Sequence, residues 1–168
     1  MGKKYFTVRE LTKSYTANQH GIDNTPDEEQ KKNLEDLIDV CLDPLRIFYP
    51  QKLLVYSGFR SFELNEYLGK SPNSFHLFGL ECDIRPVPDT EEEFQKVMKL
   101  AKQLNFDTLI LKRKFVQTKK KWFSYISISY DPVECKRMVV ENFIINPERV
   151  PRKYKNDFET NIYYLPKF

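Results

Sequence analysis

The chain has 168 residues, of which 40% are hydrophobic and 30% charged, as is typical of one globular domain with a core of its own. Its formal net charge of +3 is too small to indicate a nucleic-acid partner. No apolar run approaches the roughly 20 residues that a membrane span requires. The opening residues, MGKKYFTVRE, lack the apolar segment of a signal peptide, so we expect synthesis in a cytoplasm and no membrane partner.

A capping-box pattern that begins at Thr7 opens the first predicted element. The helix should run to about Gln19, with Leu11 and Tyr15 on its buried side. His20 follows in the loop that ends the helix, and we interpret it as a surface or capping residue rather than a metal ligand.

A second capping pattern, Thr25-Pro26-Asp27-Glu28, predicts the long core helix of the domain. Apolar residues at spacings of three and four give this helix one buried stripe. The stripe consists of Leu34, Leu37, Ile38, Cys41, Leu42, Leu45 and Phe48. Pro44 should kink or interrupt the helix, because proline lacks the backbone donor that a helix interior needs.

The stretch from residue 55 to 84 holds the candidate chemistry. The apolar run Leu53–Ser57 predicts a strand that stops at a glycine, and Ser61 can cap the short helix that follows. His76 and Asp83 then lie on either side of a turn at Gly79, with Asp83 on a strand. A neutral imidazole and a carboxylate brought together in this way are two ligands of a typical catalytic zinc site.

A third capping pattern predicts a helix over Glu91–Leu104, which Asn105 can close in a left-handed conformation. Two strands, Thr108–Phe115 and Trp122–Tyr130, should then form an antiparallel pair. In the second strand, alternation should turn the isoleucines toward the core and the serines toward the cleft.

Basic residues cluster in this pair of strands and in the tip that joins them. They are Lys112, Arg113, Lys114, Lys119, Lys120 and Lys121. We interpret the cluster as a solvated hairpin, with phosphate or teichoic-acid binding as the alternative. Alternation sends Lys112 and Lys114 to one face and Arg113 to the other, which dilutes any patch. Without stacked aromatic residues, the cluster is weak support for nucleic-acid binding.

The last residues differ in character from the rest. They carry prolines and many aromatic side chains with little periodicity, so we divide the chain into a domain over residues 1–141 and an aromatic and basic arm over residues 142–168. Aromatic residues are unusual in a disordered tail, and prolines oppose a continuous helix or central strand. The arm should therefore be extended and ordered by docking, either on its own domain or on another subunit.

The chain has three cysteines. Cys41, Cys82 and Cys135 lie far apart, and their odd number argues against a disulfide framework. We interpret each of them as a small buried hydrophobic residue.

Several motifs resemble those of a known family. SGFRS, the following LN, and the pattern S-x-H-x-x-G-x-x-x-D resemble the zinc D-Ala-D-Ala carboxypeptidases and phage murein endopeptidases, metallopeptidase family 15. Four further segments resemble its phage-type branch: KYFTVRELTKS, the run HGIDNTP…NLEDLIDVCLDPLR, FDTLI and WFSYISISY. The resemblance covers about Lys4 to Val140. It implies an α+β fold, a small mostly antiparallel sheet packed against helices, as in the D-Ala-D-Ala carboxypeptidases.

The same resemblance assigns roles to four residues. Arg60 and Ser74 match the pair that binds or polarises the substrate, and His76 and Asp83 match two zinc ligands. In this family a third ligand completes the zinc site, and a glutamate accepts the proton of the zinc-bound water.

Three positions depart from the family pattern. Ser127 stands where the third ligand, a histidine, is expected, and Lys112 stands where the catalytic glutamate is expected. Glu81 replaces a small alanine, and alternation puts it on the same face as Asp83. Because a lysine ammonium repels a divalent cation, we expect no metal cofactor. We expect Lys112, or failing that Arg60, within salt-bridge reach of one of these carboxylates.

Two functions remain open. The first is a non-catalytic phage or prophage protein that is a virion or tail structural part or binds the cell wall. Its partners would be other phage structural subunits or peptidoglycan peptide, and it would be made in the host cytoplasm and associate with the virion. The second is an active zinc-dependent peptidase of peptidoglycan stem peptides, with Glu81 as the substitute third ligand. The sequence favours the first, because the base is lost together with the ligand.

Overall fold

A six-stranded mixed sheet forms the centre of the protein in a computed structural model, which describes residues 4–168. The strands are β1 Lys52–Ser57, β2 Glu81–Val87, β3 Thr108–Val116, β4 Lys121–Ser129, β5 Met138–Ile145 and β6 Asn161–Tyr164. They lie in the order β1-β2-β4-β3-β5-β6, and every pair is antiparallel except β3 with β5. The predicted α+β class is confirmed.

Helices flank this sheet. They are α1 Val8–Thr12, α2 Tyr15–His20, α3 Glu28–Leu37, α4 Asp43–Phe48, α5 Phe62–Tyr67 and α6 Glu91–Ala101. A π-helical turn, Ile38–Leu42, joins α3 to α4, and a 3-10 turn, Phe75–Phe78, precedes β2. None of the helices in the described residues is long and apolar enough to cross a membrane.

The long core helix forms largely as predicted. Its stripe is buried from Leu34 to Leu45, and the π-helical turn falls directly before Pro44, where the interruption was expected. The cap is Asp27 rather than Thr25: its side chain accepts from the backbone of Gln30, whose own side chain bonds back. The expected burial of the last stripe residue is wrong, because Phe48 ends α4 and is 62% exposed.

The first predicted helix is two helices. Lys13 adopts an extended conformation after α1, and Ser14 caps α2 by accepting from Ala17. Because of this break, the side chains of α2 do not continue the buried side of α1. Leu11 is fully buried as expected, but the burial of Tyr15 is wrong, because its side chain is 78% exposed.

The third helix and the hairpin are close to the predicted bounds. Thr90 caps α6, which buries its apolar side, but the helix ends at Ala101 and Asn105 does not adopt a left-handed conformation. Instead the chain leaves the helix through tight turns up to Leu104. In β4 the isoleucines face the core, and in β3 Arg113 is buried on that side while Lys114 on the opposite side is exposed.

The cysteines are free thiols. Cys41 and Cys82 are buried in the core, as predicted. The same prediction is wrong for Cys135, which lies half-buried in the loop between β4 and β5.

The arm lies on its own domain. Strand β5 crosses the predicted division between residues 141 and 142, and β6 pairs with β5 at the edge of the sheet. Tyr154 stacks on Phe115 with 4.7 Å between ring centroids, and Phe158 packs against Trp122 at 5.2 Å. The predicted docking thus occurs within the chain, and a further contact with another subunit stays a prediction.

Candidate functional site

The 3-10 turn before β2 holds His76 against the face of the sheet that carries Glu81 and Asp83. The turn ends at Gly79 in a left-handed conformation, where an added Cβ would lie 2.5 Å from the backbone oxygen of Gln30 in α3. His76 is 3% exposed, and its Nδ1 lies 2.7 Å from the carbonyl oxygen of Gly58. Because a carbonyl only accepts, Nδ1 carries the proton, and the orientation of the ring is set as it is in metal-binding histidines.

The other ring nitrogen of His76 faces two carboxylates on β2. Its Nε2 lies 3.3 Å from Oδ2 of Asp83 and 3.6 Å from Oε2 of Glu81. Strand alternation puts both acids on one face, and both are buried. One ligand atom from each of the three residues lies within 4.8 Å of the others, so the cluster can hold a metal ion.

Ser127 joins this cluster through Asp83. The two residues are directly paired across β2 and β4, and the Ser127 hydroxyl donates to Oδ1 of the aspartate. Burial acts to raise the pKa of Asp83, but the contact with His76, the nearby positive charge of Lys112 and the hydrogen bond from Ser127 outweigh it. The pKa of Asp83 is therefore below its ordinary value, and the carboxylate is charged near neutral pH.

Lys112 approaches the cluster from β3. Its Nζ lies 3.8 Å from Oε1 of Glu81, so the expected salt bridge between Lys112 and a site carboxylate is confirmed. The same nitrogen lies 5.6 Å from the centre of the Tyr125 ring, which pairs with Lys112 across β3 and β4. Burial, with the negative charge of Asp83, raises the pKa of Tyr125, so its hydroxyl stays protonated.

Arg60 and Ser74 form a second part of the site. The guanidinium donates to Asn65, Ser57 and Ser74 at 3.1, 3.0 and 3.0 Å. Within residues 4–168 these hydrogen-bond partners are all neutral, and burial lowers the pKa of Arg60 against the opposing pull of Asp83. A buried guanidinium held by neutral groups keeps its charge available for an anionic ligand.

The structure brings together all the residues singled out from the sequence, in two adjoining groups. His76, Glu81, Asp83, Ser127 and Lys112 form the first group, and Arg60 with Ser74 forms the second. The backbone of Arg60 donates to the carbonyl of His76 at 3.1 Å, which joins the two groups.

Three contributors to the site were not predicted. The carbonyl of Gly58 orients His76, and no sequence signal marks a carbonyl acceptor. Asn65 orients Arg60; it belongs to the LN that follows SGFRS, so its position was visible but its role was not. Tyr125 flanks Lys112, which strand pairing could have indicated only with the register in hand.

These features define an α+β domain with a buried metal-type cluster beside a buried arginine, an arrangement that fits a metallopeptidase. The sequence model of the family described as Peptidase M15 matches residues 4–118, more than half of the chain. The protein therefore belongs to the peptidase M15 family. No curated protein matches the chain. Lys112 lies inside the matched range, whereas Ser127 lies beyond it and is placed by its pairing with Asp83.

Peptidases of this family depend on zinc, and the cluster fits that ion by donor type and spacing. Ligands about 2.0–2.1 Å from a tetrahedral zinc lie about 3.3–3.4 Å from one another. The distances from His76 Nε2 to Asp83 and Glu81, 3.3 and 3.6 Å, are close to this spacing between ligand atoms. His76, Asp83 and Glu81 would hold the ion, and a bound zinc supplies Lewis acidity toward a carbonyl or a water.

Proposed function

We propose that this protein is a non-hydrolytic member of the peptidase M15 family that binds peptidoglycan stem peptide. By its resemblance to the phage-type branch, it would be a phage or prophage protein that carries this cell-wall binding into the virion or tail. The observation that supports the loss of hydrolysis is the position of Lys112, whose ammonium lies beside Glu81 where the family has its base.

Hydrolysis by this route needs three metal ligands and a separate proton acceptor. The metal-type cluster of the described residues contains only His76, Glu81 and Asp83. If Glu81 is the third ligand, no carboxylate of the cluster is left to accept a proton from water. If Glu81 is the acceptor, the metal keeps only two protein ligands. Lys112 cannot fill the gap, since an ammonium has no acceptor lone pair.

Peptide binding, in contrast, depends on parts that remain intact. Arg60 can pair with a peptide carboxylate through a bidentate contact, and Ser74 lies beside it. On the site face of the sheet, the Tyr56 ring packs against the rings of Tyr125 and Phe123, with centroid distances of 5.1 and 5.3 Å respectively. Tyr56 is 53% exposed, so this aromatic surface is open to a ligand.

The spacing of the metal donors favours a second candidate, an active zinc peptidase that uses Glu81 in place of the missing histidine. It would act as a D-Ala-D-Ala carboxypeptidase or as an L-Ala-D-Glu endopeptidase. This candidate requires an acceptor other than Lys112, and it is weaker for that reason.

The test measures binding and cleavage of a synthetic stem pentapeptide that ends in D-Ala-D-Ala, with zinc added. Calorimetry should detect binding by the unaltered protein, and mass spectrometry should detect no hydrolysis. Arg60→Gln should weaken binding by roughly 30-fold or more, because a buried charge pair loses one partner. Arg149→Gln is the matched control, since Arg149 is largely exposed.

Absence of peptide binding by the unaltered protein would overturn the proposal. Hydrolysis that disappears with His76→Ala would instead establish the zinc peptidase.

A further inference from the structure

We propose that Glu81 is the third ligand of a divalent-cation site with His76 and Asp83, and that Lys112 competes with the metal for this carboxylate. The inference goes beyond peptide binding, which neither requires nor excludes a metal. It concerns residues particular to this chain, since the resemblance expects alanine and glutamate at positions 81 and 112.

Three electron-rich atoms converge in a buried place. His76 donates through Nδ1 to Gly58, so in the neutral imidazole Nε2 points a lone pair at the nearest oxygens of Asp83 and Glu81. His76 is 3% exposed and Asp83 is 5% exposed, so water does little to offset their mutual repulsion. A cation placed among the three donors would offset it for all of them.

Lys112 does not fill the position between these three donors. Its Nζ reaches Oε1 of Glu81 at 3.8 Å, whereas the oxygen that faces His76 is Oε2. The ammonium therefore neutralises Glu81 from the far side and leaves the space between the three donors open to a second cation. Its side chain is 21% exposed, so its charge is only partly screened.

The donor chemistry selects among cations. One imidazole and two carboxylates suit zinc, which accepts nitrogen and oxygen ligands in a four-coordinate site with one open position. Calcium takes six to eight oxygen ligands, so it should bind far more weakly. Ser127 supports the site indirectly, because it donates to the Asp83 oxygen that points away from His76.

Lys112 should lower the affinity of this site in two ways. Its charge repels a dication, and its salt bridge holds the carboxylate that the metal needs. Replacing Lys112 by methionine keeps most of the apolar stem and removes both effects. The structure thus predicts that loss of a positive side chain strengthens metal binding, an outcome that a purely structural lysine would not give.

The experiment titrates metal-free protein with zinc chloride alone and follows bound zinc by calorimetry and by the shift of the melting temperature. Lys112→Met should tighten zinc binding by roughly tenfold. Glu81→Gln should weaken it by more than the 10–100-fold that a lost second-shell partner costs, and Ser127→Ala by no more than about that range. Lys114→Met and Glu92→Gln are matched controls, because both residues are exposed and outside the cluster. Calcium chloride is the comparison metal.

Zinc binding that Glu81→Gln leaves unchanged would overturn the proposal, as would a Lys112→Met variant that binds zinc no more tightly than the unaltered protein. Failure of both the unaltered protein and Lys112→Met to bind zinc would overturn it as well. Circular dichroism of each variant confirms that it is folded. Because no peptide is present, these results are separate from the test of peptide binding.

Discussion

At the scale of single residues, a small side chain lets the cluster form. Lys112 and Glu81 lie on strands that are separated by β4, so their side chains must meet over that strand. Ser127 lies between them, paired with Asp83, and its short side chain leaves room for the contact. A histidine at this position would fill the same space. The salt bridge between Lys112 and Glu81 therefore depends on a small residue, in place of histidine, at position 127.

Arg113, a buried cation, lies on the opposite face of the sheet and serves the fold. It is 1% exposed, and its guanidinium donates to both oxygens of Glu91 at 2.7 Å. Further bonds run to Asn142 in β5 and to Ser124 in β4. Arg113 therefore ties the sheet to α6, and Glu91 compensates its buried charge.

The ion pair between Glu91 and Arg113 predicts a pH-dependent stability. Burial acts to raise the pKa of Glu91, but the bonds from Arg113 and Gln95 outweigh it, so the pKa lies below its ordinary value of 4.5. The stabilisation is therefore present above about pH 4.5 and is lost as the pH falls through the lower folded value. Glu91→Gln should cost about 1–2 kcal/mol at pH 7, a discounted figure because Glu91 is half exposed.

Urea denaturation of both proteins between pH 3 and 7 measures this effect, with Glu92→Gln as the control on the same helix. The difference between Glu91→Gln and the unaltered protein should shrink as the solution is acidified. A difference that stays constant with pH would contradict the assignment.

At the scale of elements, two glycines let neighbouring segments close around His76. A Cβ at Gly58 would lie 2.0 Å from the backbone oxygen of Leu11, and one at Gly79 would lie 2.5 Å from that of Gln30. Gly69 also has a positive φ, but an added Cβ there would meet nothing within 4 Å. Gly79 and Gly69 both have a positive φ, but only a Cβ at Gly79 would clash. Comparison of alanine variants at these two positions therefore separates backbone strain from steric clash.

Gly69→Ala should cost about 1–2 kcal/mol, the strain of a left-handed residue with a side chain. Gly79→Ala should cost that amount and about 1–3 kcal/mol more, because the turn must move away from α3. Equilibrium denaturation of the two variants provides the comparison. Equal losses of stability would show that the turn has room to relax.

Much of this architecture could be predicted from local patterns. Capping residues and apolar spacing located α3 and α6, and alternation placed Glu81 and Asp83 on one face of β2. Tyr15 was assigned to the wrong side because the two-residue break at Lys13 and Ser14 leaves no signal in the spacing.

Strands β5 and β6 could not be predicted in the same way. Asn142 is left-handed, and the register between β3 and β5 shifts nearby, so the alternation of side chains is interrupted. The parallel pairing of β5 with β3 is also a long-range contact that no local pattern contains. In the site, the residue types were visible in the sequence, whereas the meeting of Lys112 with Glu81 depended on strand order.

At the scale of the whole molecule, the arm covers the side of the sheet opposite the candidate site. Phe158 lies over the guanidinium of Arg113, 4.1 Å from its carbon to the ring centroid. Asp157 accepts from the indole of Trp122, and Val150 is 4% exposed. The arm therefore shields the ion pair that joins α6 to the sheet, and it lies away from the candidate site.

These contacts predict that residues 147–168 are part of the folded domain. Their deletion removes β6, the buried Val150 and several half-buried side chains, among them Tyr154, Phe158 and Tyr163. At about 1.5–3 kcal/mol for a fully buried large side chain and less for a half-buried one, we expect a loss of about 5 kcal/mol. At about 2–4 °C per kcal/mol the melting temperature should fall by about 10–20 °C. Deleting only residues 166–168, which are exposed, should change it by about 2 °C or less. A chain that lacks residues 147–168, melts as the full chain does and loses only a binding partner would show instead that the arm serves assembly.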